Sequence, residues 1–126
     1  MRPDVAVIDI GSNSVRLMLG AAENGRVRSL AKMLNTTRLA KGIDERGMLA
    51  PDRAAATVEA IDAFANIAKG YGVPIVAYAT SAVRDAPNRD EFVSTVREQT
   101  GLNVHVLSGE EEGAYAFSAV TGMISS

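Results

Sequence analysis

Residues Val5–Leu19 constrain what this chain can fold into more than any other stretch. An apolar strand runs up to Asp9, a tight turn follows at Gly11-Ser12-Asn13, and a second apolar strand leaves from Ser14. Beyond the turn, Val15, Leu17 and Leu19 alternate with Arg16 and Met18, the two-residue period of a strand. The loop therefore joins two antiparallel strands as a hairpin and has no helix N-terminus behind it. A Walker loop needs Gly-Lys-Ser/Thr opening a helix, and a dinucleotide fingerprint needs G-x-G-x-x-G opening one, so both are excluded. Gly11 lacks a Cβ, which frees the turn to take unusual dihedrals and to close backbone N–H groups on a ligand. Ser12, Asn13 and Ser14 add short hydrogen-bonding side chains at the same spot. The stretch reads as a phosphate cradle; the plainer reading is a hairpin turn made of ordinary turn formers. Asp9 repels phosphate, so it has two candidate roles. It holds a divalent cation that bridges to phosphate oxygens, or it orients a water or a loop amide.

At 126 residues the chain reads as one domain, residues 1–126, large enough to bury a real core. Its 47% hydrophobic and 22% charged content are those of a soluble globular protein. A net charge of −2 offers nothing to a nucleic acid or a membrane surface, so neither is an expected partner. The absence of cysteine excludes disulfides and thiolate metal sites. No apolar run is long enough to span a bilayer, and the first strand begins too early to leave room for a signal peptide. The cytoplasm is the expected compartment. His105, the single histidine, lies between Val104 and Val106 and is expected on an edge or partly buried strand, not in a metal site.

Asn24-Gly25 signals a second hairpin, leading to a third strand from about Arg26 to Met33 that can continue past Leu34. Residues Asn35 to Ala50 read as a polar connection, in which Arg38 and Lys41 are solvated surface or within reach of an anion. Pro51 suits the first turn of a helix, along which Val58, Ile61, Phe64, Ala65 and Ala68 recur at helical spacing until Gly70 and Gly72. Val73–Ala79 is a nearly all-apolar run, as expected of a central parallel strand. Ser81 is expected to cap a short helical turn, and Asn88 with Glu91 forms a capping-box pattern for a helix that carries Phe92 and Val96 and closes at Gly101. Val104 to Leu107 reads as the last strand. Ser108 with Glu111 then caps a last helix carrying Ala116, Phe117 and Val120. This order predicts an α/β fold with one five-stranded mixed sheet, three strands antiparallel and the last two parallel, with helices on its faces. Ligands in such sheets sit beyond the carboxyl ends of the strands, where the Asp9 loop, Thr80–Arg84 and Ser108–Glu112 converge.

Arg84 presents a planar fork suited to phosphate, or is a surface arginine paired with Asp85 or Asp90. Glu110 and Glu111 are explained by capping and by the helix dipole. Glu112 is turned roughly 100° from Glu111 around the helix. It is a further helix acid, or a cleft carboxylate able to take a proton from water beside a phosphate.

Together, Val7–Ser14 (VIDIGSNS), Ala79–Asn88 (ATSAVRDAPN) and Leu107–Glu112 (LSGEEE) resemble the exopolyphosphatase and guanosine pentaphosphate phosphatase (Ppx/GppA) family, in the right order and over nearly the whole chain. The resemblance implies a ribonuclease H-like, actin-like fold of two similar lobes with the site between them, this chain being the N-terminal lobe. It implies that Asp9, Gly11, Ser12, Asn13 and Ser14 form the first phosphate-binding loop, in which Asp9 is the candidate metal ligand. It further implies that Thr80, Ser81 and Arg84 contact the phosphate chain, that Glu112 is the catalytic base, and that magnesium is the ion. Gly113 stands where many relatives have alanine. The family's second phosphate loop, an Asp-x-Gly-Gly-Gly-Ser type sequence, does not occur, and the chain stops at Met123–Ser126 where a crossover to the second lobe is expected. The implied activity of the full-length protein is release of terminal orthophosphate from inorganic polyphosphate, or of the 5′-phosphate from guanosine pentaphosphate. The lobe alone is expected to have little or no activity, because phosphoryl transfer depends on surrounding the developing charge. Two other readings are a kinase or ATPase lobe of the same superfold, and a non-catalytic polyphosphate or alarmone sensor. Pairing of two copies through the face meant for the second lobe is a further expectation.

Overall fold

The computed structural model describes residues 2–114, with side chains as far as Glu111. Strands β1 (Val5–Ile10), β2 (Val15–Glu23) and β3 (Arg26–Asn35) form the antiparallel meander. Helix α1 (Pro51–Gly70), strand β4 (Ile75–Ala79), the short α2 (Ser81–Arg84), α3 (Arg89–Thr100), β5 (Val104–Val106) and α4 (Gly109–Ala114) follow. The sheet order is β3-β2-β1-β4-β5, with β4 parallel to β1 and β5 parallel to β4. This is the mixed sheet expected from the order of elements.

Local chemistry explains most boundaries. Asn24 and Gly25 both take positive φ, 51° and 77°, as a two-residue turn must when it follows the twist of its strands. Pro51 opens α1, Asp52 lies in its first turn and Lys69 in its last, an arrangement the helix dipole favours. The Lys69 ammonium also reaches the Thr100 carbonyl at 3.0 Å, tying the ends of α1 and α3 together.

Alternation along the strands then sorts the residues onto two faces. Ala6, Ile8 and Ile10 of β1, Val15, Leu17 and Leu19 of β2, and Ala77 and Ala79 of β4 meet Val58, Ile61, Phe64 and Ala65 of α1 and Phe92 and Val96 of α3. Each large side chain buried here contributes about 1.5–3 kcal/mol. Both long helices therefore share one face. The other face carries a smaller cluster of Val5, Val7, Met18, Tyr78 and Leu107.

The structure differs from expectation in three places. The connection from Asn35 to Ala50 is not merely polar: Leu39 and Leu49 are buried in the helical-face core. Asn88 precedes α3 but makes no capping bond to it. Instead its Oδ1 accepts the Leu49 N–H at 2.9 Å and its Nδ2 donates to the Leu49 carbonyl at 3.3 Å. An unpaired buried peptide costs about 1–3 kcal/mol, more than an exposed cap of about 1 kcal/mol returns, so the side chain goes to Leu49. Ser81 likewise is not a cap, because Thr80 occupies that position and Ser81 turns elsewhere. The expected helical positions Ala116, Phe117 and Val120 lie outside the described residues.

Candidate functional site

Three segments gather at the carboxyl ends of the central strands. The first is the β1–β2 turn. The Gly11 N–H donates to the Ser14 carbonyl at 2.9 Å and closes the turn on itself. Gly11 is therefore not a donor to a ligand, and its φ is not positive. Glycine relieves crowding here, because a Cβ would lie 3.1 Å from the Ser14 carbonyl oxygen and push it back by a few tenths of an ångström. No backbone carbonyl among the described residues accepts from the Ser12, Asn13 or Ser14 amides.

The second segment is the turn after β4. Thr80 N–H donates to the Ile10 carbonyl at 3.3 Å, which sets the start of α2 against the end of β1. From there Ser81 Oγ meets Ser12 Oγ at 3.2 Å. Two hydroxyls from segments 69 residues apart thus join the hairpin to α2.

The third segment follows β5. Arg84 donates from Nη1 to the Leu107 carbonyl at 3.2 Å, and its Nε lies 3.4 Å from Asp85 Oδ1. Part of the plain surface-pair reading therefore holds, but the same guanidinium also ties α2 to the residue after β5. The expected Ser108–Glu111 capping box forms: Glu111 N–H donates to Ser108 Oγ at 3.0 Å, and Ser108 N–H to Glu111 Oε1 at 3.1 Å. His105 Nε2 is 3.3 Å from Glu111 Oε2, on the exposed edge strand where the sequence placed it. The Ser108 amide, then His105, holds the Glu111 carboxyl below its usual value. Glu112 lies on the backbone of α4, next to Glu111. Its side chain is outside the described residues.

A groove of roughly 890 Å³ runs from the turn across the second face of the sheet, past Asp9, Ser14, Arg16, Lys32, Tyr78 and Thr80. Asp9 pairs with Arg16 on β2 and with Tyr78 on β4. Burial first, then the charge of Asp9 and a hydrogen bond to it, push the Tyr78 phenol up to about 12. Sequence reading did not single out Arg16, Lys32 and Tyr78, which line this groove. Arg16 and Lys32 were legible in principle, since even-numbered β2 residues share Asp9's face and Met18 pairs with Lys32. Tyr78 needed the β1–β4 register, which no local pattern gives.

The donor set for a cation is entirely oxygen: the Asp9 carboxylate and the Ser12, Ser14 and Thr80 hydroxyls along the groove. No cluster of three or more His, Cys, Asp or Glu able to hold a metal exists among the described residues. An all-oxygen set suits a hard ion such as magnesium, which is often held by one or two carboxylates together with substrate phosphates. No described helix is long and apolar enough to cross a membrane.

Residues 18–126 match the Ppx/GppA phosphatase family. Exopolyphosphatase 1 of Mycobacterium bovis is 38% identical over 118 residues, which cover 92% of this chain and 34% of that protein. The guanosine-5'-triphosphate,3'-diphosphate pyrophosphatase of Vibrio cholerae is 32% identical over 119 residues, covering 94% of this chain and 24% of that one. Among solved structures, the Ppx/GppA family member of Aquifex aeolicus superposes with a TM-score of 0.82 at 35% identity, over 94% of this chain and 39% of that one. The chain thus spans about a third or less of the length of these curated relatives.

Proposed function

The chain belongs to the Ppx/GppA phosphatase family, and from that premise we propose that it is the first of two lobes of a phosphoanhydride hydrolase. The full-length protein releases terminal orthophosphate from inorganic polyphosphate or the 5′-phosphate of guanosine pentaphosphate, the two substrate types that its relatives' names indicate. The observation that carries this reading is the 3.2 Å contact of Ser12 with Ser81. It brings the phosphate-type turn and the Thr80–Arg84 segment to one edge of one sheet.

Each group then has a role set by its chemistry. The Ser12, Asn13 and Ser14 amides receive non-bridging phosphate oxygens, with their side chains and Thr80 beside them. Arg84, already bound to the Leu107 carbonyl, offers positive charge next to the chain of phosphates. Asp9 would hold a divalent cation, magnesium by its preference for oxygen, which would neutralise phosphate charge. Glu112, at the start of α4, takes the proton of the water that attacks the terminal phosphorus. A single lobe surrounds the phosphorus on one side only, so the isolated lobe has little or no activity.

Steady-state phosphate release by the full-length protein tests this against its Glu112→Gln variant. The parent is expected to release phosphate from at least one of the two substrates, and the variant to be slower by about 10²–10⁴-fold while still binding substrate. Equal rates would remove Glu112 from the mechanism. Binding without hydrolysis by the parent would make the protein a sensor, and ADP formation from ATP with an acceptor would make it a kinase.

A further inference from the structure

Two residues, Leu107 and Ser108, carry the chain from the end of β5 into α4, and both are held in place. Leu107 N–H donates to the Ala79 carbonyl at 2.9 Å, and its own carbonyl accepts from Arg84 Nη1 at 3.2 Å. Its side chain is buried in the cluster with Val7 and Tyr78. Ser108 is joined to Glu111 twice: its amide donates to Oε1 at 3.1 Å, and its Oγ accepts the Glu111 N–H at 3.0 Å. The other carboxylate oxygen, Oε2, lies 3.3 Å from His105 Nε2 on β5. A capping box needs only one oxygen of its acid. Here the second goes to the edge strand, so one side chain ties the first turn of α4 to both the connection and the sheet. α4 opens on Gly109, a weak helix former, so that turn depends on its ties. Glu112 is the next residue along the same backbone.

We propose that Glu111 is a positioning residue for Glu112: its carboxylate, shared between the Ser108 amide and His105, fixes the start of α4 against the end of β5. The proposal rests on the hydrolase reading, in which Glu112 is the base. Glu111 acts through the helix that carries Glu112, so its loss affects the turnover step. The Ser12–Ser14 turn and Arg84 sit on other elements, and their hold on the phosphate chain stays intact.

Glu111→Ala in the full-length protein removes both ties. The kcat should fall about tenfold, since a small misplacement of a reacting group is costly. KM should stay within about twofold. Glu111→Gln keeps a side chain of the same length that also serves in a capping box, so kcat should return to at least about half of the parent's. Adding Glu111→Ala to Glu112→Gln should slow turnover no further, because one residue acts through the other. Parental kcat in Glu111→Ala, no recovery in Glu111→Gln, or losses that multiply in the double variant would overturn the proposal and leave the hydrolase reading standing. If Glu112→Gln alone is as fast as the parent, that reading falls and the proposal falls with it. Amide hydrogen exchange gives a readout free of activity. The Ser108 amide should exchange about threefold faster or more in Glu111→Ala than in the parent or Glu111→Gln, and equal exchange would sink the inference.

Discussion

β1 sends Ala6, Ile8 and Ile10 to the helix-covered face, each 1% exposed or less, and Val5, Val7 and Asp9 to the groove face, where the series ends in a carboxylate. β2 does the same: Val15, Leu17 and Leu19 go to the helices, Arg16 and Met18 to the groove. The same backbone thus builds a dry aliphatic layer on one side and a charged row on the other. Residues one apart in sequence, such as Ile8 and Asp9, belong to different problems. The first face sets whether the chain folds, and the second what it can do once folded.

That separation can be broken or sharpened by experiment. The largest effect is expected from Ile8→Ala, which opens a cavity beneath α1 and should cost about 2–5 kcal/mol in urea unfolding. Activity per folded full-length molecule should stay within about twofold, and a loss far beyond the unfolded fraction would show that the faces are coupled. A smaller effect on folding should come from Ser12→Ala, which removes the hydroxyl contact with Ser81. Stability should fall by no more than about 1.5 kcal/mol. The KM for polyphosphate should rise about tenfold, so an unchanged KM would leave that contact with no role in substrate binding.

The smallest effects concern pH. The buried cluster under the helices contains no titratable group, so pH should reach stability through the groove face and its rim. Tyr78 is raised from 10.0 to about 12 by burial and by Asp9, so its neutral form is favoured in the folded chain. The stability it contributes is complete below pH 10 and is lost as pH rises through about 12, and Tyr78→Phe should flatten that decline. At the acid end Glu111 is lowered by the Ser108 amide and by His105. Its contribution is complete above the usual value of 4.5 and is lost as pH falls through the lowered one. Because Glu111 is solvent-exposed, added salt should shrink that acid effect, and Glu111→Gln should remove it.

What could be read in advance was what short-range chemistry decides. The Asn24-Gly25 turn, the Pro51 start of α1 and the Ser108–Glu111 box each depend on residues within a few positions of one another, and each forms. The mix of antiparallel and parallel strands followed from the sequence of those elements and the handedness of crossovers, while their order across the sheet did not. Asn88 broke the pattern because its partner, Leu49, is 39 residues away and offered a buried peptide with no other claim on it. Ser81 met Ser12 across 69 residues for a similar reason. Leu39 and Leu49 were hidden in a polar stretch, since two isolated leucines set no period. The meeting of the three motif segments at one edge of the sheet was legible in advance. The internal use of the Gly11 amide was not, because it depends on how tightly the turn closes.

The connection between β3 and α1 also grips the β1–β2 turn and forms a strap across it. Arg38 N–H binds the Asn13 carbonyl and Ala40 N–H binds the Ser12 carbonyl, each at 2.9 Å. A trans peptide is a stiff plate with oxygen on one edge and hydrogen on the opposite edge, and no cis bond occurs among the described residues. Pinning the oxygens of Ser12 and Asn13 therefore fixes the hydrogens of Asn13 and Ser14 on the opposite side of their peptide planes. The strap itself is sprung: Arg38 sits at a φ of 53°, a left-handed setting uncommon for an arginine. Cutting the chain between Gly42 and Gly47 would release that spring and let the two plates swivel.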